Sequence, residues 1–254
     1  AKGLEAEYLD STLSDKEEER ILNRVRFRRT RLLYVSPEKF ATLTLERALV
    51  TAKVTLVAVD EAHCASDWGH EFRPEYQRIA AVCRRIGNPQ KMALTATAPV
   101  LVRDDYLAML EMTNARQFCG DVDRPNLKLV VRPCASWADQ VDLLFDLLGG
   151  HAKKGERVVV YCNRVAGVEM LVSRAAQQRI DALGYHGQME KFQRSKAEQA
   201  FSAGDVKILF ATKAFGMGVD VPDIRWIYHV EPPSSLEAYW QEAGRAGRDG
   251  KPAT

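Results

Sequence analysis

Two adjacent carboxylates, Asp60 and Glu61, directly follow the apolar run Leu56–Val59 and precede Ala62-His63-Cys64. Four consecutive apolar residues read as a buried strand, and ligands bind beyond the carboxyl ends of parallel strands. Magnesium takes near-octahedral oxygen ligands, often only one or two of them protein carboxylates. Asp60 can hold such an ion while Glu61 orients and deprotonates an attacking water. The next run, Ser66-Asp67-Trp68-Gly69-His70-Glu71-Phe72-Arg73-Pro74, places rings, bases and histidine in a polar setting. Bases stack on rings such as Trp68 and Phe72 for about 1–3 kcal/mol each, and Arg73 offers a phosphate or cation–π contact. These residue types suit nucleoside triphosphate hydrolysis coupled to a nucleic acid.

Three further groups could join that chemistry. Thr95-Ala96-Thr97 puts two hydroxyls on a tight turn after an apolar run, where they could link nucleotide state to domain closure or satisfy strand-end backbone. Phe215-Gly216-Met217-Gly218-Val219-Asp220 has glycines that permit positive φ and close approach to a phosphate. Asp220 could meet a nucleotide sugar or the final arginines. In Gln241-Glu242-Ala243-Gly244-Arg245-Ala246-Gly247-Arg248 the spacing lets one helical face present Gln241, Arg245 and Arg248. Arginines facing a γ-phosphate neutralise developing charge.

Alternating strands and helices position these groups, and the pattern implies α/β layers on parallel sheets. Leu32–Ser36, Leu56–Asp60 and Met92–Thr95 read as buried strands in the first half, and residues 158–161, 208–211 and 224–229 as strands in the second. Ser14 and Glu17 form a capping box for a helix over 15–27. Helices are expected over 165–179 and over 191–203, the latter stopping at Gly204. Turn residues from Gly120 to Asn126 mark a linker. Four strand ends pass into polar residues at Asp60, Thr95, Cys162 and Thr212, which points to a shared cleft.

The 254 residues suffice for two domains, and the net charge of +2 does not announce a polyanion binder. Arginine is nevertheless crowded at Arg20, Arg24, Arg26, Arg28, Arg29 and Arg31, a solvated surface or a phosphate contact. The five cysteines lack CxxC or His spacing, so free thiols in a reducing cytoplasm and no zinc site are expected. No apolar run approaches a membrane span. The chain opens at Ala1 in mid-pattern and reads as an internal piece of a longer protein.

Taken in order, the motifs resemble superfamily 2 helicases, and in particular the RecQ family of DNA helicases. The carrying segments are Leu33 to Glu38, Asp60 to Cys64, Trp68 to Tyr76, Ala93 to Ala98, Asp123 to Asn126, Tyr161 to Asn163, Ala214 to Gly218 and Gln241 to Gly250. The aromatic-rich loop from Trp68 to Tyr76 narrows the resemblance to RecQ proteins. It implies two RecA-like domains, residues 1–121 (incomplete at its start) and 122–254, with ATP and magnesium between them. Asp60 becomes the metal acid, Glu61 the base, and Arg248 with Arg245 and Gln241 the contribution of the second domain. Gly218 and Asp220 join Asp60, Arg245 and Arg248 at the nucleotide. His63, Trp68, His70, Phe72, Arg73, Thr95 and Thr97 couple it to single-stranded or partly duplex DNA.

The implied activity is ATP-driven three-prime-to-five-prime unwinding by a monomer, in DNA repair or recombination, in a bacterial cytoplasm or a nucleus. The 254 residues contain no Gly-x-x-x-x-Gly-Lys-[Ser/Thr]; Gly149–Gly155 lacks the spacing and the hydroxyl. That loop cradles phosphates, so weak ATP hydrolysis by this chain alone is expected. A non-hydrolysing nucleic-acid-binding module, a purely structural interaction protein and an RNA helicase are the alternatives.

Overall fold

The structure is a computed structural model that describes residues 4–66, 72–96, 99–112, 114–120, 123–216 and 219–254. Trp68, His70, Thr97 and Gly218 lie outside the described residues. The chain divides into two compact units, Ala1–Cys119 and Gly120–Thr254. Among the described residues, no helix is long and apolar enough to cross a membrane.

The first unit runs β1 (Ala6–Leu9), α1 (Asp15–Arg26), β2 (Leu32–Val35), α2 (Pro37–Phe40), α3 (Leu43–Ala52), β3 (Leu56–Val59), α4 (Ile79–Arg85), β4 (Gln90–Ala93) and α5 (Val100–Met109). Short 3₁₀ turns at Ala62–Ala65 and Pro74–Arg78 fall between β3 and α4. The strands pair in parallel as β1 with β2 and β3 with β4. The capping box at α1 is present: the Ser14 oxygen accepts from the Glu17 amide, and Glu17 accepts from the Ser14 amide at 3.0 Å. Those hydrogen bonds hold the Glu17 carboxyl below its usual range. One apolar stripe of α1, Ile21, Leu22 and Val25, packs with Leu9, Leu45, Leu49 and Val82.

The expectation of buried strands in this half needs correcting. Leu33, Val35, Val57, Val59 and Ala93 face the packed helices. Their alternate neighbours do not: Tyr8 is 53% exposed, Tyr34 63%, Leu56 44% and Met92 42%. An all-apolar run satisfies the pattern of a fully buried strand, but burial needs a layer on each face. The described helices of this unit cover one.

The second unit continues with α6 (Trp137–Lys154), β5 (Arg157–Tyr161), α7 (Val165–Gln177), β6 (Ala182–Tyr185), α8 (Lys191–Ala203), β7 (Ile208–Ala211), β8 (Ile224–His229) and α9 (Leu236–Ala243). Its parallel sheet has the order β6-β7-β5-β8. Val158, Val160, Ile208 and Phe210 point toward α6 and α7. Val159, Tyr161, Leu209 and Ala211 point to the other side, onto Ala197, Phe201, Phe215 and Ile224. Every residue of β7 is buried. The helix α8 stops where Gly204 takes φ 84°, a conformation that costs glycine least. At the amino end of β5 a polar cluster closes the layer. His151 bridges Glu156 Oε2 and the Tyr228 hydroxyl, each at 2.7 Å, and Trp226 Nε1 donates to the same Glu156 oxygen at 3.0 Å.

Candidate active site

In the first unit the chemistry begins where β3 ends. Asp60 is exposed, and its Oδ1 accepts the amide of Glu61 at 2.9 Å. Glu61 adopts φ 48°, ψ 44°, a left-handed conformation that is strained for a residue with a long side chain. What holds it is the turn beyond. Ala62 donates its amide to the Leu94 carbonyl at 2.9 Å, and Ala62, His63, Cys64 and Ala65 are all buried. Ser66 Oγ donates to Asp105 on α5 at 2.6 Å. The Tyr76 hydroxyl reaches back to the Asp60 carbonyl at 3.2 Å, and burial pushes that phenol up to about 12.

His63 is the junction of this group. Its Nδ1 lies 2.9 Å from Thr95 Oγ1 and 3.4 Å from Glu61 Oε2. A single hydroxyl at the end of β4 thus meets the imidazole that touches the acid. Glu61 Oε2 is shielded from solvent and, among the described residues, accepts no hydrogen bond; its charged neighbour is the His63 imidazole. Arg73 donates its amide to the Cys64 carbonyl at 2.9 Å, so the aromatic-rich segment returns to the same turn, and Phe72 is partly open to solvent. Among the described residues no group of three or more His, Cys, Asp or Glu side chains could hold a metal. One carboxylate at Asp60 does fit magnesium, whose other ligands are usually water and phosphate.

In the second unit the arginine motif is built differently from the single helical face that its spacing suggests. The helix α9 ends at Ala243, so Gln241 is helical while Arg245 and Arg248 stand on successive turns beyond it. Gly247 at φ 57° turns the chain, and a Cβ there would sit 2.6 Å from Asn126 Nδ2. Arg245 Nη1 donates to the Gly216 carbonyl at 2.5 Å. Its guanidinium sits against Gly216, where a Cβ would come within 2.1 Å of the guanidinium carbon. Arg248 Nη1 donates to Asp220 Oδ1 at 3.0 Å and to the Val219 carbonyl at 3.3 Å. The glycine-containing loop and the arginine turns therefore meet, and Asp220 takes up one of the two contacts the sequence suggests.

Several residues of this group belong to motif segments, yet sequence reasoning assigned them no role at the site. Arg124 donates to the carbonyls of Gly244, Ala246 and Gly247, and Asn126 to those of Gly247 and Lys251. Part of the segment read as a linker thus braces the arginine turns. His229 Nε2 lies 2.8 Å from Glu242 on α9, and its ring stacks on Tyr161. Burial pushes the Tyr161 phenol far up, against the opposing pull of the Arg245 guanidinium. The usable signal was positional: His229 and Tyr161 both end strands, where the polar groups of this fold gather.

Two family models match the chain. "DEAD/DEAH box helicase" matches residues 2–104 and "Helicase conserved C-terminal domain" residues 139–250. An "ATP-dependent DNA helicase RecQ" of Pasteurella multocida is 37% identical over 100% of this chain and 39% of its own length. A "Probable ATP-dependent DNA helicase RecS" of Bacillus subtilis is 36% identical over 98% of the chain and 49% of its own length. The chain therefore spans less than half of these relatives. In fold it is similar to S. cerevisiae Dbp5 bound to RNA and ADP BeF3, with a TM-score of 0.73 and 16% identity over 98% of this chain and 62% of that one. The α/β architecture is that of two RecA-like helicase domains.

Proposed function

The chain belongs to the RecQ family of helicases, and from that premise we propose that it supplies most of the core of an ATP-dependent DNA helicase. Residues 1–121 belong to the first RecA-like domain and 122–254 form the second. ATP hydrolysis drives the unwinding of DNA with three-prime-to-five-prime polarity in the cytoplasm or nucleus, by a monomer acting on single-stranded and partly duplex DNA.

Asp60 would hold magnesium, which supplies charge neutralisation at the phosphates when bound. Glu61 accepts the proton of the attacking water, and His63 relays its position to Thr95. Arg245 and Arg248, with Gln241, neutralise charge on the terminal phosphate. Gly218 and Asp220 lie along the nucleotide, and Trp68, His70, Phe72, Arg73 and Thr97 sense the DNA strand. The observation that carries this reading is Glu61: a strained backbone held by a buried turn, with its carboxylate 3.4 Å from the His63 imidazole that also meets Thr95. Strain of that kind is retained where geometry serves a reaction.

No phosphate-loop motif occurs in the 254 residues, so this chain alone hydrolyses ATP weakly. The test is ATP hydrolysis with and without single-stranded DNA, on this chain and on the chain fused at its amino end to a phosphate-loop segment. The fusion should be strongly DNA-stimulated and the chain alone barely active. Equal rates would refute the weak-hydrolysis claim, and stronger activation by RNA than by DNA would overturn the substrate assignment.

A further inference from the structure

The crowded arginines of the first unit are absorbed by none of these roles. Arg20 and Arg24 are neutralised, pairing with Glu7 at 3.4 and 2.8 Å. The next four are not. Arg26 donates to the neutral Asn23 side chain at 3.1 Å, and Arg28 donates through Nε and Nη2 to the Thr51 carbonyl at 3.4 and 3.3 Å. Arg29 and Arg31 are exposed and make no side-chain ion pair or hydrogen bond among the described residues. The nearby acid Glu46 is taken by Arg85 at 2.7 Å. A chain with a net charge of only +2 thus concentrates uncompensated positive charge on one short segment.

Phe27 stands in the middle of that segment and is 74% exposed. It caps α1, and Arg28 takes φ 55° just after it, so the chain turns sharply at the ring, with Arg26 before it and Arg28, Arg29 and Arg31 after it in sequence. The contact from Arg28 to Thr51 brings together the residues that precede β2 and those that precede β3. Asp60 and Glu61 follow the opposite, carboxyl end of β3, about 13 Å of strand away. This basic patch is a different place from the candidate active site.

We propose that Phe27 and the surrounding arginines form an accessory binding surface for single-stranded nucleic acid. Guanidinium groups bind successive phosphates, and an exposed ring among them offers a stacking face for a base. A membrane surface fits less well, because the apolar stripe of α1 is spent on the core and leaves no amphipathic face for lipid.

The test is fluorescence anisotropy of a labelled oligothymidylate with the full chain across a salt series. Arg29→Glu with Arg31→Glu should weaken binding roughly tenfold and flatten the salt slope by about 1.4, or about 0.7 per lost phosphate contact. The paired lysine substitutions should keep the slope. Phe27→Ala should weaken binding roughly tenfold with the slope unchanged. Wild-type affinity and slope in the glutamate variant would overturn the proposal. If Arg73→Glu alone lost affinity in that case, the helicase reading would stand without this surface. Absence of binding by the wild-type chain would overturn both. Binding of anionic vesicles but not of the oligonucleotide would overturn the choice of ligand.

Discussion

Leu56–Val59 and Val158–Tyr161 look alike as sequence: four large or apolar residues ending in polar ones. They end up in different environments. Val158, Val159, Val160 and Tyr161 are all buried between two layers, whereas β3 has a buried side at Val59 and an open one at Leu56. The site residues differ in the same sense. The arginines of the second unit are held to backbone carbonyls and to Asp220 by a web of braces. The acids of the first unit rest on one buried turn and one histidine. Strand burial is decided by what covers the sheet, and a site residue is only as fixed as the elements behind it.

The sharpest test of that contrast is a pair of truncations. Phe210→Ala, in the fully buried β7, should cost about 3–5 kcal/mol, and Met92→Ala, on the open face of β4, about 0.5 kcal/mol or less. Denaturant unfolding measures both, and equal losses would break the comparison. Next in size is Gly216→Ala. It puts a Cβ into the space of the Arg245 guanidinium at φ 134° and should cost about 1–3 kcal/mol. ATP hydrolysis by the phosphate-loop fusion should fall with it; unchanged activity would show that Arg245 need not rest on Gly216. In the first unit, Ser14→Ala removes one half of the α1 cap and should lower stability by about 1 kcal/mol in the same unfolding assay.

The smallest effect concerns acid. Burial of Glu156 acts to raise its carboxyl, but hydrogen bonds from His151 and Trp226 prevail and hold it below 4.5. A depressed carboxylate adds stability above its unfolded value and loses it as pH falls through the folded one. The second unit should therefore weaken below pH 4.5 more steeply in the wild-type chain than in Glu156→Gln. Parallel melting curves down to acid pH would count against the cluster.

Much of the scaffold was legible because it depends on local chemistry. Ser14 and Glu17 announce the start of α1, Gly204 the end of α8, and the second-half strands lie within a residue of where their apolar runs place them. The strands β1 and β6 carry no such run and went unseen: Ala6–Leu9 holds a glutamate, and Ala182–Tyr185 a glycine. At the site, the pairing of His63 with Thr95 follows from motif positions, since both close neighbouring parallel strands. The bracing by Arg124 was invisible, because its carbonyl partners lie at Gly244, Ala246 and Gly247, far along the chain.

By itself the sequence determined the α/β class, the order of the motifs and the identity of the groups that can do chemistry. Strand period, caps and turn residues act over a few neighbours, and that range is enough to write them into the chain. Tertiary structure alone decided which strand faces are covered, that α9 stops before Arg245, and that Glu61 is strained with a shielded oxygen beside His63. Each of these depends on residues distant in sequence arriving at one place. There, burial and steric exclusion, not local preference, fix the conformation.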